Sequence, residues 1–197
     1  PIPFVNSKIA DPKTLEDLPL ETPGVLLVNC PGMMLRYHEN EEETNAVFVY
    51  DTNGVKWYNT KDVAVKHANG EYEFVGRVKR NFVSGVDNIY PEQIEQLLLQ
   101  IPEIREVIVT SIADDKEQFL PSYHVSLNDF NCDRKVLENK MFALIEKTLG
   151  TSALPGYIEY YEQALPRTDN GKLDPKAMEA KDKERIENKD LVRTRVR

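Results

Sequence analysis

The hydrophobic pattern of this chain changes character near residues 77–79, and no other feature limits its possible folds as strongly. Before that point, short apolar or alternating runs are separated by turn residues, which is typical of β-strands rather than helices. Asn69-Gly70 separates the last two runs and favours a hairpin, because both residues accept positive φ. We therefore predict a small antiparallel β unit, with strands at Val25–Cys30, Val47–Tyr50, Asp62–Lys66 and Glu71–Val75.

Beyond this change, helices and strands alternate along the chain. Pro91 opens a helix with its apolar residues on one face, and Asp133 is a suitable N-cap for a second helix that Gly150 ends. A third, highly charged helix runs from Asp174 to about Glu187. The predicted strands among these helices are Glu106–Ile112, Ser122–Leu127 and Tyr157–Tyr161. The order β-α-β-β-α-β-α indicates a compact α+β domain.

The predicted fold class is α+β, in which a small antiparallel β subdomain precedes a compact α+β domain. We expect the first to cover residues 1–77, the second residues 78–187, and a charged tail residues 188–197. The chain begins at Pro1 without a methionine, so we expect a processed product or a piece of a longer protein.

Charge and cysteine content exclude several kinds of partner and site. The formal net charge is -8, which disfavours a general affinity for nucleic acid or for an anionic membrane surface, since both are polyanions. Two separated cysteines, Cys30 and Cys132, and three scattered histidines give neither a disulfide framework nor a four-ligand zinc site. We expect no metal site and a reducing, cytoplasmic environment. No apolar run approaches the roughly 20 residues that span a bilayer.

The run LPRTDNGK, residues 165–172, is the stretch that a purely structural interpretation explains least well. It has no apolar period, and Asn170-Gly171 forms a turn that can present Lys172 into a cleft. The ammonium group is a compact charge with three donors, which suits it to stabilise negative oxygens of a carboxylate or phosphate. On these residues alone, an ordinary exposed loop lysine is the alternative.

Four segments, in order, resemble the signature motifs of one superfamily. LPRTDNGKLD is similar to the C-terminal signature of the adenylate-forming enzymes, which comprise acyl-CoA synthetases, nonribosomal peptide adenylation domains and luciferases. Earlier segments resemble that superfamily's glycine–tyrosine segment, its threonine–glycine–aspartate segment and its serine–glycine loop with the helix start that follows. These segments lie at Pro23–Thr44, Trp57–Arg77 and Ser84–Glu95. The chain therefore resembles the C-terminal portion of an AMP-forming adenylating enzyme over nearly its whole length.

The resemblance implies a role for three of the matched residues in adenylation. Lys172 matches the catalytic lysine, which bridges the substrate carboxylate and the phosphate. Asp62 matches the aspartate that holds the ribose hydroxyls, and a carboxylate can accept hydrogen bonds from two vicinal hydroxyls. Arg77 matches an arginine that also reaches the nucleotide. From the residues alone, Asp62 could be a surface acid and Arg77 could form a salt bridge at a domain edge.

The resemblance also implies a hinge and an acceptor loop. Lys79 matches the hinge position about which the C-terminal domain, a mobile lid, swivels between two catalytic orientations. A solvated linker lysine is the alternative for this residue. Ser84 and Gly85 match the loop that lines the path of the thiol acceptor in the second half-reaction.

Several positions depart from the superfamily's pattern. The glycine before the matched aspartate is replaced by Lys61, the acid expected after Gly24 is Val25, and a second expected glycine is Arg36. In the acceptor loop, Val86 stands where a glycine is expected. These changes leave the matched aspartate, arginine and catalytic lysine in place, and they bear mainly on thioester formation.

The superfamily's phosphate loop has no counterpart here, because the nine glycines are dispersed. Its adenine-binding segment and acyl pocket are expected upstream and have no counterpart here either. The resemblance thus implies the C-terminal part of an acyl-CoA synthetase, which converts ATP and a carboxylic acid to an acyl-adenylate and then forms a thioester with CoA. The missing N-terminal portion would be its partner, and Mg²⁺ would arrive there with ATP. We predict that this chain alone is inactive and binds no cofactor.

Two other functions stay open. One is a fragment of a nonribosomal peptide adenylation domain, although no carrier-domain serine motif follows Lys172. The other is a degenerate, non-catalytic binding or regulatory module, which Lys61 and the missing glycines favour.

The remaining polar residues receive structural interpretations. The three histidines occur in unlike contexts, so we expect structural or surface roles for His38, His67 and His124. The acids at Glu39 and Glu41–Glu43 are interpreted as a solvated turn, since they lack the spacing of a calcium loop.

Overall fold

A computed structural model of the chain describes residues 4–113 and 119–188, with the side chain of residue 188 left out. The chain divides into two compact units, of which the first ends at Lys79 and the second begins at Arg80. The sequence predicted this boundary between residues 77 and 78. Of the predicted tail, residues 188–197, only Asn188 lies within the described part, where it ends a helix.

The first unit is built on a five-stranded antiparallel sheet. Its strands are β1 (Asn6–Ala10), β2 (Gly24–Asn29), β3 (Phe48–Tyr50), β4 (Lys56–Lys66) and β5 (Tyr72–Arg77). The order is β1-β2-β4-β3, and β5 pairs with β4. Gly24 is required by close packing, since a Cβ atom there would lie 2.6 Å from the carbonyl oxygen of Ala10 on the neighbouring strand. The antiparallel character was predicted, whereas β1 and the first half of β4 were not.

Of the acids interpreted as a solvated turn, Glu39 lies in an exposed turn, but Glu41–Glu43 form the first turn of a helix, so the interpretation is wrong for those three. Helix α1 covers Glu41–Val47, and the side chain of Asn40 caps it by accepting a hydrogen bond from the Glu43 backbone at 3.0 Å. Three glutamates fill its first turn, where negative charge is favoured by the helix dipole. Val47 therefore belongs to this helix and not to the strand predicted at residues 47–50.

The predicted hairpin between β4 and β5 is present in the structure. Lys66 pairs with Tyr72, and the His67 backbone donates to the Glu71 carbonyl at 2.9 Å, which closes a loop that contains Asn69-Gly70. Gly70 has φ of +84°. Asn69 keeps negative φ, so only the glycine uses the left-handed freedom that suggested the turn.

The second unit begins with a short hairpin and continues as mixed helices and strands. Its strands are β6 (Phe82–Ser84), β7 (Asp87–Ile89), β8 (Ile104–Ala113), β9 (Phe119–Leu127) and β10 (Tyr157–Tyr161), and its helices are α2 (Pro91–Leu98), α3 (Arg134–Leu149) and α4 (Pro175–Asn188). The main sheet has the order β10-β9-β8, with β8 antiparallel and β10 parallel to β9. The predicted α+β class is confirmed. The predicted order β-α-β-β-α-β-α opens with one strand before the first helix, whereas the structure has two, β6 and β7.

Helices cover both faces of the main sheet. On one face, Tyr123 and Val125 of β9 pack with Ile94 of α2 and with Met141 and Ile145 of α3 in the largest core cluster. On the other, α4 lies against β8 through a smaller cluster of Ile108, Leu165 and Met178. Helix α4 thus fixes the chain that immediately precedes it, residues 165–174, relative to the sheet.

Among the described residues, no helix has both the length and the apolar character needed to cross a membrane.

Candidate functional site

Lys172 lies in a tight hairpin that the local sequence closes by backbone hydrogen bonds. The Thr168 amide donates to the Lys172 carbonyl at 2.8 Å, and the Gly171 amide donates to the Thr168 carbonyl at 2.8 Å. Gly171 has φ of +77°, a conformation that a residue with a Cβ atom adopts only at a cost. Glycine at this position therefore allows the turn that brings Lys172 to its place in the hairpin.

The base of this hairpin is continuous with α4. Arg167 and Leu173 form an isolated antiparallel bridge, and the Asp174 amide donates to the Pro166 carbonyl at 2.9 Å. The Asp174 side chain then accepts from the Lys176 amide at 3.0 Å and so caps the first turn of α4. As a result, the hairpin is anchored to a helix at one side and to the apolar cluster around Leu165 at the other.

The Lys172 side chain is exposed, as is the tip of the hairpin around it. Within the described parts of the chain, the ion pairs do not include its ammonium group. A charge presented in this way is available to an anion.

Asp62 and Arg77 lie opposite each other on β4 and β5 of the first unit. Arg77 Nε is 2.9 Å from Asp62 Oδ1, but the contact lacks hydrogen-bonding geometry, and Oδ1 is fully buried without a hydrogen bond within the described residues. The backbone of Asp62 is held in place, because its amide donates to Thr60 Oγ1 at 3.1 Å. The Arg77 guanidinium offsets the charge of this carboxylate, and a ligand that donates a hydrogen bond to Oδ1 would have to join or displace that contact.

Lys61, which replaces an expected glycine, retains the backbone conformation that favours glycine. Its φ is +61°, and its ammonium group lies 2.5 Å from Glu43 Oε1 of α1. The hydrogen bond from Lys61 lowers the pKa of the Glu43 carboxyl, which keeps that partner ionised at neutral pH. The ion pair draws the added charge toward α1.

Lys79 lies between two residues that are each held by their own unit. The Val78 amide donates to the Lys61 carbonyl at 3.0 Å in the first unit. In the second unit, the Arg80 guanidinium pairs with Glu95 at 2.6 Å and with Glu92 at 3.1 Å. Burial opposes the charged form of Arg80, yet these two carboxylates raise its pKa. Lys79 itself is exposed in the turn.

Ser84 and Gly85 lie at the turn between β6 and β7. Ser84 is only 4% exposed and pairs with Asp87, while Gly85 has φ of +65°. Val86, which occupies a position where glycine was expected, is 94% exposed. The turn tolerates valine because its side chain points away from the unit.

A buried polar cluster beneath α4 was not identified as such from the sequence. His124 is fully buried, with Nε2 3.0 Å from Asp182 Oδ2 and Nδ1 3.1 Å from the Tyr161 hydroxyl. Thr110 donates to the same Asp182 oxygen at 2.5 Å. Burial disfavours the imidazolium, but the hydrogen bond to Asp182 and the negative charge of Glu159, whose Oε2 lies 3.7 Å from Nδ1, outweigh it and raise the pKa of His124. The sequence feature that could have indicated this cluster is the alternation of polar residues along SYHVSL, residues 122–127.

The part of the chain that the structure describes holds no group of three or more His, Cys, Asp or Glu side chains that could bind a metal ion.

Comparisons with known proteins identify the family. Residues 93–172 match the family described as "AMP-binding enzyme C-terminal domain", and this match ends at Lys172. One curated relative is a mitochondrial medium-chain acyl-CoA ligase (ACSF2) of Danio rerio, which is 34% identical over 58% of this chain and 18% of its own length. Another is bacitracin synthase 2 of Bacillus licheniformis, which is 31% identical over 84% of this chain and 6% of its own length.

A solved structure of the anthranilate CoA ligase AuaEII, in complex with anthranoyl-AMP, superimposes with a TM-score of 0.81 at 21% identity. The alignment covers 95% of this chain and 35% of that one. This chain spans about a third or less of the length of the relatives compared with it.

The matched segment identifies a C-terminal domain of the adenylate-forming type, and the solved structure has the same fold. Residues 93–172 belong to this family, and the chain matches the C-terminal portion of adenylate-forming enzymes over most of its length.

Proposed function

We propose that this chain completes the active site of an AMP-forming acyl-CoA synthetase, with Lys172 as the catalytic residue of the first half-reaction. In that step an oxygen of the substrate carboxylate attacks the α-phosphorus of ATP, and pyrophosphate leaves. In the second step the CoA thiol attacks the acyl carbon and AMP leaves. The observation that carries the proposal is the hairpin that holds Lys172 exposed at the end of the family-matched segment.

The first step brings two anions together, and this is the reason why a cation is needed. The carboxylate and the triphosphate repel each other, and negative charge spreads over the phosphorus oxygens in the transition state. An ammonium group that is already positioned stabilises that charge without further reorganisation. The side chain of Lys172 can form three hydrogen bonds, enough to bridge a carboxylate and a phosphate oxygen.

Asp62 and Arg77 would hold the nucleotide in the first unit. The buried Oδ1 of Asp62 has no hydrogen bond in the described part of the chain, and the hydroxyls of a ribose are donors of the kind that it lacks. Arg77 has a side chain that is 60% exposed and lies on the adjacent strand, where it could pair with a phosphate.

Lys79 would be the hinge about which the second unit reorients between the two half-reactions. The hydrogen bond of Val78 and the ion pairs of Arg80 hold the flanking backbone within each unit. A change in backbone dihedrals is therefore accommodated most readily at Lys79. This residue is exposed, and among the described residues its side chain forms no ion pair like that of Arg80. In the second orientation, the turn at Ser84 and Gly85 would line the path of CoA.

The chain by itself would not adenylate a carboxylic acid. A phosphate loop and an acyl pocket are expected in the N-terminal portion of the enzyme, which is the partner of this chain in the proposal. ATP and its Mg²⁺ would bind there.

Activation of an amino acid for a carrier domain is a second candidate function. The similarity to bacitracin synthase 2 over 84% of this chain favours it. The two candidates share the first half-reaction and differ in the thiol that accepts the acyl group.

Reconstitution tests the proposal. The chain would be mixed with the separately expressed N-terminal portion, and ATP–pyrophosphate exchange measured with aliphatic, aromatic and amino acids. We expect exchange in the mixture and none with either portion alone, followed by consumption of CoA. Exchange without CoA consumption would favour the carrier-dependent function, and binding without exchange would contradict catalysis and favour a regulatory module.

A further inference from the structure

The carboxylate of Glu106 links the Lys172 hairpin to the main sheet by hydrogen bonds. Its Oε2 accepts a hydrogen bond from the Leu165 amide at 2.7 Å, and its Oε1 pairs with the Arg167 guanidinium. The other terminal nitrogen of Arg167 donates to the Gly171 carbonyl at 2.7 Å. That carbonyl belongs to the peptide group that joins Gly171 to Lys172. A continuous path of hydrogen bonds therefore runs from the sheet to the peptide group of Lys172.

A β-bulge in β8 places Glu106 where it can make these contacts. The register with β9 shifts between Ile104 and Glu106, and side chains on either side of a bulge depart from strict alternation. Arg105 and Glu106 consequently both contact the chain that leads to the hairpin. Arg105 hydrogen-bonds Ser126 Oγ and the Glu162 carbonyl, while Glu106 reaches further, to Leu165 and Arg167.

The ion pair between Glu106 and Arg167 is partly shielded from solvent on the Glu106 side. The Glu106 side chain is 13% exposed, whereas that of Arg167 is 48% exposed. A guanidinium is planar and can donate in two directions at once, which lets Arg167 bind a carboxylate and a carbonyl together.

Backbone hydrogen bonds close the hairpin, but in the described part of the chain the bonds of Arg167 are what connect its tip to the sheet. The tip residues are all exposed: Asp169, Asn170, Gly171 and Lys172. Apart from its chain neighbours, no described atom lies within 4 Å of the position that a Cβ atom of Gly171 would take. Apolar packing is confined to the base of the hairpin, around Leu165 and Leu173.

We propose that Glu106 is a positioning residue for adenylation: through Arg167 it orients the peptide group that carries Lys172. This inference rests on the proposed function of Lys172. Glu106 touches neither substrate nor nucleotide in this role, and its effect on the reaction is exerted through the hairpin. Displacement of a catalytic group by about 1 Å can cost about a hundredfold in rate, so loss of this restraint is expected to matter.

The first test uses the isolated chain and does not depend on activity. Backbone ¹⁵N relaxation of Gly171 and Lys172 would be compared between the wild type and Glu106→Gln, which keeps the acceptor for Leu165 but removes the charge that binds Arg167. We expect faster motion at the hairpin tip in Glu106→Gln and in Arg167→Met. Arg105→Met, which alters the preceding segment alone, is the matched control and should leave the tip ordered. An unchanged tip in both test variants would overturn the inference.

The second test measures the two half-reactions in the enzyme that includes its N-terminal portion. Adenylation should fall between about tenfold and about a hundredfold in Glu106→Gln and in Arg167→Met, because Lys172 is displaced. The double variant should lose no more than either single variant, since both break the same path. Thioester formation from a preformed acyl-adenylate should be retained. An equal loss in both half-reactions would indicate a purely structural role and overturn the inference.

Lys172→Ala separates this inference from the proposed function. If that variant loses adenylation while Glu106→Gln retains it, positioning by Glu106 is wrong and catalysis by Lys172 stands. If Lys172→Ala retains adenylation, the proposed function itself is wrong, and the inference that rests on it falls with it.

Discussion

Asp62 and Lys61 are adjacent residues, and each has a structural feature that is unusual in a folded protein. The buried Oδ1 of Asp62 lacks a hydrogen bond within the described chain, while Lys61 adopts positive φ, although it is not glycine. The Arg77 guanidinium, 2.9 Å away, offsets the charge of the Asp62 carboxylate, whereas the positive φ of Lys61 has a conformational cost. In the proposed function, a ribose hydroxyl supplies the hydrogen bond that Asp62 Oδ1 lacks.

Replacement of Asp62 by Asn should weaken nucleotide binding. Hydrogen bonds to a charged group contribute on the order of 1.5–3 kcal/mol, so we expect the affinity for AMP to fall by roughly tenfold to a hundredfold. Calorimetric titration of the enzyme with its N-terminal portion would measure this change. Asp17→Asn is the control, because the Asp17 side chain is 71% exposed in the same unit. Equal affinities of Asp62→Asn and the wild type would contradict the assignment.

At Lys61, glycine should give a more stable protein than alanine. Both variants lose the ion pair with Glu43, and they differ in the strain of a Cβ atom at φ of +61°. We expect the free energy of unfolding of Lys61→Gly to exceed that of Lys61→Ala by about 1 kcal/mol. Urea denaturation followed by Trp57 fluorescence reports on this sheet, because Trp57 is the one tryptophan of the chain. Alanine as stable as glycine would show that the backbone conformation is not strained.

At the scale of single residues, the sequence motifs identified candidate site residues, but they could not reveal which side chains contact one another. Lys172, Asp62 and Arg77 stand out because their neighbours match a pattern, and their catalytic and binding roles stay predictions. Glu106 could not be found, since it lies within a predicted strand and its importance depends on a bulge. A shift of one residue in register changes which side chains face α4, and strand periodicity does not reveal it.

Turning to the elements, strand β9 is buried on both faces, with apolar side chains on one and polar side chains on the other. Tyr123 and Val125 contribute to the large core, whereas Ser122 and His124 lie buried under α4 and contact Asp182. Alternation of polar and apolar residues usually indicates a solvated face. Here α4 covers that face and supplies a carboxylate for the buried imidazole.

The His124 cluster should make the packing of α4 dependent on pH. The groups that face His124 are Asp182, Glu159, Tyr161 and Thr110, and Lys181 and Arg185 pair with Glu159. The folded-state pKa of His124 is raised above the ordinary value of 6.5. Its contribution to stability is therefore fully present below about pH 6.5 and is lost as pH rises through the folded-state pKa.

Hydrogen exchange of β9, corrected for intrinsic rates, would measure this dependence. We expect the free energy of opening of the wild type to exceed that of His124→Gln most at low pH, and the difference to narrow as the pH rises above 6.5. His38→Gln is the control, because its side chain is 93% exposed. A difference that stays constant or widens with pH would contradict the ion-pair account.

Elements with their own start and stop signals were predicted best. Helix α3 has the predicted N-cap, Asp133, whose side chain accepts from the Lys135 amide, and it ends before Gly150 with φ of +86°. Helix α1 was missed because its seven residues contain few apolar side chains and depend on the Asn40 cap. Strand β1 was missed because Asn6–Ala10 pairs with β2 along a segment with little periodic pattern.

For the whole molecule, the two units carry different parts of the proposed site. Asp62 and Arg77 belong to the first unit and Lys172 to the second, and Lys79 is the last residue of the first. Such a division suits an enzyme in which one unit binds the nucleotide and the other presents a cation for only one of two steps. The predicted boundary between residues 77 and 78 separates Asp62 and Arg77 from Lys172 in the same way, but it puts Lys79 in the second domain. In the proposed function, the geometry of closure depends on the N-terminal portion of the enzyme.

The central claim is that Lys172 acts in adenylation and not in thioester formation. The measurement that tests it most directly is the rate of each half-reaction in Lys172→Ala, assayed in the enzyme with its N-terminal portion, with Lys176→Ala as an exposed control on α4. We expect adenylation to fall by about a hundredfold or more. Thioester formation from a preformed acyl-adenylate should continue at the rate of the wild type. An adenylation rate equal to that of the wild type, or an equal loss in both half-reactions, would contradict the account.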